Sequence, residues 1–89
     1  MSTHLLDKQR IAAINARVDA ATKGPWKPMI EGRDHTSGSS CIVTSAGGID
    51  LDGASDEDIE FLAHARQDIP YLVAELCRLE AMLEAIQAT

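Results

Sequence analysis

At 89 residues the chain has room for one small domain, which buries only about 60–65% of its unfolded surface, so self-association is an expected supplement to its core. An apolar content of 45% excludes wholesale disorder, and with one Trp, one Tyr and one Phe the core has to come from aliphatic side chains. The net charge of −6 is split into +3 over residues 1–33 and −9 over the remainder, which leaves no basic stripe for duplex nucleic acid.

Ser2 or Thr3 is placed to cap a first helix, because a side-chain oxygen there accepts a bond from an orphan backbone N–H. The helix is expected over residues 1–23. Ile11, Ile14, Val18 and Ala21 recur at spacings of three and four along one face. Gly24 stands where a left-handed residue would end the helix, and Pro25 cannot extend it.

Residues 26–52 read as a β region. Trp26 to Glu31 suits an edge strand, since Pro28 has no N–H to give a ladder. A polar, flexible stretch from Gly32 to Ser40 leads to a second strand, Cys41-Ile42-Val43-Thr44. A turn at Ala46-Gly47-Gly48 then precedes a short third strand, Ile49-Asp50-Leu51. The simplest pairing is an antiparallel meander, too small to stand without a covering helix.

Residues 55–88 read as helix. Ser55 and Asp58 have capping-box spacing, and Asp56, Glu57 and Asp58 put negative charge on the positive end of the dipole. Pro70 predicts a break near Asp68, with Asp68 capping a further helix. In that last helix Leu72, Leu76, Leu79, Leu83 and Ile86 repeat at 4, 3, 4 and 3, a heptad seam that needs a partner helix. The architecture is therefore α+β in a single domain, 1–89: an N-terminal helix, a small antiparallel meander, and a broken C-terminal helix pair whose seam favours a dimer or higher oligomer.

The residue types that usually announce chemistry do not assemble. The acids from Asp50 to Glu60 fail the calcium-loop template, because Gly53 comes too early and Phe61 stands at the twelfth position. His4, His35, His64, Cys41 and Cys77 show no metal-ligand spacing, so no metal or cofactor is expected. No nucleophile, base and orienting group are marked out, and the chain is expected not to be an enzyme. Two unclustered cysteines and no signal peptide suit a reducing cytosol, and no apolar run reaches the roughly 18 residues of a membrane span.

Binding is the remaining class. Arg33, His35, Thr36 and Ser39 crowd a guanidinium, an imidazole and hydroxyls into one loop, groups that suit phosphate or ribose oxygens. Trp26 is either core or a stacking platform for a base, with Arg66 supplying charge.

Ala20-Ala21-Thr22-Lys23-Gly24-Pro25-Trp26 and, further on, Asp58-x-x-Phe61-Leu62-Ala63-x-Ala65-Arg66-x-Asp68-x-Pro70-x-Leu72 resemble a pattern in small uncharacterised proteins of phages and actinobacterial prophages. The resemblance covers about half the chain and departs from the pattern at Lys23, where proline is frequent. It implies a viral accessory protein working by binding in a bacterial cytosol. Sequestration of a small anionic nucleotide-like ligand, as an anti-defence role, is the first expectation, with Trp26, Arg33, His35, Thr36, Ser39 and Arg66 as its site. The alternative is a protein–protein module that docks its C-terminal helix on a host or viral partner. The two halves of the pattern are expected to meet in space, with Trp26 against the second helix near Phe61 or Arg66.

Overall fold

The computed structural model describes residues 7–88. Its elements run α1 (Lys8–Ala20), β1 (Lys27–Met29), β2 (Cys41–Thr44), β3 (Gly47–Asp50) and α2 (Asp56–Gln87). The α+β class and the element order follow the sequence reading.

Asp7, rather than Ser2 or Thr3, caps α1 by accepting from the Arg10 N–H at 3.0 Å; Ser2 and Thr3 lie outside the described residues. The helix ends at Ala21 in an extended conformation, and Gly24 is not left-handed. Gly24 is small for a different reason. A Cβ there would meet Gln67 Oε1 at 3.3 Å and Arg66 Cγ at 3.4 Å, so the chain passes close over α2 at this point. The Gly24–Pro25 peptide is cis.

The three strands form an antiparallel meander in the order β1-β2-β3, with Pro28 on the edge strand opposite Ile42. The third strand begins at Gly47, two residues before the expected start. Thr44 Oγ1 accepts from the Ala46 N–H and donates to the Gly47 carbonyl, which closes the hairpin over Ser45 and Ala46 alone. Gly47 takes φ +121°, a conformation glycine adopts without steric cost. Pro28, Ile42 and Ile49 share one face of the sheet, and α2 packs on β1 and β2. Ile42 is consequently buried and Ile49 exposed.

The core is small: Ile30, Ile42, Ile59 and Ala63, with Trp26, Leu51 and Ala54 packed around them. The capping box that starts α2 is present in both directions, Asp58 N–H to Ser55 Oγ at 3.0 Å and Ser55 N–H to Asp58 Oδ2 at 3.2 Å.

The expected break at Pro70 does not occur. One helix of 32 residues passes through it, and Asp68 lies within the helix instead of capping another. Proline's missing N–H leaves the Arg66 carbonyl without its helical partner. The sheet and α1 both pack on the helix, and α1 spans the defect, with side chains beside α2 from Leu62 to Glu84. The Lys8 ammonium lies 3.6 Å from Glu84 and 4.0 Å from Glu80, while Arg66 reaches Thr22, so α1 runs antiparallel along α2. No described helix is long and apolar enough to cross a membrane.

Candidate functional site

The helical hairpin meets the sheet at Trp26. Its indole Nε1 donates to the Thr22 carbonyl at 3.1 Å, and Arg66 Nε donates to the same oxygen at 2.9 Å. The Trp26 backbone N–H donates to Gln67 Oε1 at 3.1 Å, and Gln67 Nε2 donates back to the Ala63 carbonyl at 3.2 Å. Trp26 therefore packs on α2 at Arg66; Phe61, the other expected neighbour, is 73% exposed.

One side of the indole covers the core, and the other lines a groove of about 430 Å³ between α1 and α2. Trp26 is thus core and pocket wall at once. Ile14, Val18 and Ala21 of α1 form one flank of the groove, Leu62, Ala65 and Ile69 of α2 the other, with Arg17 and Arg66 at its rim. The walls are apolar, and the two guanidinium groups are the only charges among the lining residues.

The loop residues stand apart from this groove. Arg33 is engaged by two carboxylates, the Asp34 Oδ2 at 2.8 Å and the Glu60 Oε1 at 2.5 Å, which push its pKa up and hold it charged. Asp34 accepts from Arg33 and from the Ile30 N–H at 2.9 Å, and those two bonds hold its carboxyl below the usual carboxylate range. His35 faces two carbonyl oxygens, Ser37 O from Nδ1 at 2.7 Å and Met29 O from Nε2 at 3.3 Å. The stretch expected to be flexible is thus cross-braced, with the Ser40 hydroxyl also accepting from the Glu31 N–H. Thr36 and Ser39 are exposed on its outer side.

The six expected site residues fall into two groups. Trp26 and Arg66 come together at the groove. Arg33 and His35 are tied into the loop, where Arg33 reaches α2 at Glu60. Glu60 and Arg66 are six residues apart on one helix, about 9 Å along its axis and on different faces.

Beyond the groove, α2 carries its most distinctive surface. The seam read from Leu72 onward extends upstream, since Leu62, Ala65 and Ile69 continue the alternation of three and four residues. Leu72, Leu76, Leu79 and Leu83 are 39 to 54% exposed, whereas Val73 on the α1 side is 6% exposed. Past the groove α1 meets α2 at Cys77 and Glu80, so Leu72, Leu76, Leu79 and Leu83 lie beside that contact, while Leu62, Ala65 and Ile69 upstream line the groove itself. Sequence reasoning missed the upstream half of this stripe and Arg17 at its rim. The signal for the stripe was present in the spacing, but a helix stop placed at Pro70 concealed it.

No protein-family model matches this sequence, and no curated protein or solved structure matches it.

Proposed function

We propose that the protein is a non-catalytic protein–protein interaction module that docks a helical partner along the exposed apolar stripe of α2 and the groove beside Trp26. The observation that carries this reading is the exposure of Leu72, Leu76, Leu79 and Leu83 in heptad spacing on a helix of 32 residues. Full burial of a leucine is worth about 1.5–3 kcal/mol, and these four have roughly half of that still to gain, so together they contribute about 3–5 kcal/mol to a helix-in-groove contact. Photocrosslinking tests it. With p-benzoylphenylalanine in place of Leu79, irradiation in cells yields a polypeptide adduct. The same group in place of Ala74, on the opposite face, yields none. Equal absence of adducts at both positions contradicts docking.

A second reading keeps to the groove alone. Its volume lies within the roughly 300–1,000 Å³ of small-molecule sites, and its apolar walls with Arg17 and Arg66 at the rim suit a flat apolar body bearing an anionic group. That is the chemistry of a nucleotide-like ligand stacked on Trp26. A thermal-shift panel of cyclic dinucleotides and ADP-ribose derivatives separates the readings. A shift abolished by Arg66→Met supports ligand capture, and no shift below millimolar concentration removes it.

A further inference from the structure

We infer that the occupant of the α2 stripe is a second copy of this chain, paired antiparallel about a two-fold axis that crosses the stripe between Leu72 and Leu76, level with Ala74 on the opposite face, so that the partner's α2 closes the Trp26–Arg66 groove. This rests on the docking reading above and names its partner.

Three observations converge on it. The first is surface. The chain exposes 6544 Å², against about 5,100 Å² for a compact monomer of its mass, an excess of roughly 1,400 Å². A standard interface buries about 800 Å² per partner, so the surplus is enough for one. The radius of gyration agrees, at 17.7 Å where about 12 Å is usual for 89 residues.

The second observation is register. Spacings of three and four that alternate read the same in both directions. Antiparallel pairing about that axis therefore sets Leu72 opposite Leu76, Ile69 opposite Leu79 and Ala65 opposite Leu83, with a small residue facing a large one in the last pair. Such a contact is isologous and closes at two chains. The four helices α1, α2 and their copies then form a bundle whose seam is apolar throughout.

The third is charge. Residues 73–88 carry Glu75, Glu80 and Glu84 against Arg78, and Lys8 of α1 lies 4.0 Å from Glu80 and 3.6 Å from Glu84, so this end of the hairpin keeps a net of −1, and the last turn of α2 has no basic residue to offset its negative dipole end. Arg17 and Arg66 give the groove +2. Antiparallel pairing lays the acidic half of one α2 over the cationic groove of the other, whereas parallel pairing would stack like on like. Glu75, the acid nearest the two-fold, is already neutralised by Arg78 at 2.7 Å in its own chain.

The test uses the full chain with Cys41→Ser and Cys77→Ser. Sedimentation equilibrium is expected to return twice the chain mass of 9.6 kDa. Leu76→Glu should weaken association by about tenfold or more, the scale of one leucine lost from an apolar contact, with helical circular dichroism retained. Ala65→Cys with Leu83→Cys should oxidise to an interchain disulfide, while Ala65→Cys alone should not. A monomer over the whole concentration range overturns the inference. A dimer that cross-links through Ala65→Cys alone overturns it too, because that marks a parallel pair. A monomer that still forms a Leu79 adduct with a different polypeptide refutes self-pairing and leaves the docking reading standing.

Discussion

Trp26 and Arg66 donate to one acceptor, the carbonyl oxygen of Thr22 in the segment that joins α1 to the sheet. The geometry makes the two donors interchangeable to a degree. Trp26→Phe keeps most of the ring's packing and removes one bond, and Arg66→Met keeps the alkyl stem and removes the other. Each single change should cost about 0.5–1.5 kcal/mol, because the carbonyl retains a partner. The double variant should lose more than the sum, because the half-buried oxygen is then orphaned. Urea denaturation of the four species measures the coupling, and strict additivity would show that the shared bond is energetically idle.

Pro70 sits inside α2 at a position where a proline typically costs about 3 kcal/mol. Its ring is half-buried, which offsets part of that cost. Pro70→Ala restores the bond to the Arg66 carbonyl and should raise stability by about 1–2 kcal/mol, read as a higher melting temperature. A lower melting temperature would mean that the ring's packing outweighs the missing N–H.

The capping box fixes where α2 begins. Ser55→Ala removes the acceptor for the Asp58 N–H and should destabilise by about 1 kcal/mol, while Ser55→Asp should cost far less because an aspartate caps equally well. Chemical denaturation that ranks the two variants equally would contradict a capping role.

Much of this was legible in the residues, and the failures have physical causes. Ser55 and Asp58 announced the start of α2 because a capping box is local chemistry. Pro28 announced an edge strand because a missing N–H excludes the centre of a sheet. Pro70 misled for the converse reason: its local penalty is real, and packing on two sides of α2, which no local rule contains, overrides it. Gly24 was read as a helix stop, although Ala21 already ends α1. Its smallness answers to Gln67 and Arg66, more than forty residues away in sequence. Arg33 looked free in the sequence because its carboxylate partners are the next residue and a residue on a distant helix.

The Arg33–Asp34 pair carries a pH signature. Asp34 has a folded pKa below its unfolded value, first because Arg33 donates to it and then because the Ile30 N–H does. Its contribution to the loop is therefore full above the unfolded value and is lost as pH falls through the folded one. The Ile30 amide resonance, reporting the bond to Asp34 Oδ2, should titrate below the usual aspartate range, and Arg33→Ala should move that midpoint upward. A midpoint at the ordinary aspartate value, unmoved by Arg33→Ala, would show that the pair is absent in solution.

The central claim is that the leucine stripe of α2 is an occupied interface, and hydrogen exchange along residues 76–87 tests it most directly. Among the described residues this end of α2 meets α1 at Cys77, Glu80 and Glu84, a contact too slight to keep a helix end from exchanging fast, as frayed termini do. The account predicts slow exchange through Leu83, strengthening as protein concentration rises and abolished by Leu76→Glu. Fast exchange of residues 76–87 at every concentration, with residues 56–73 protected, would contradict it.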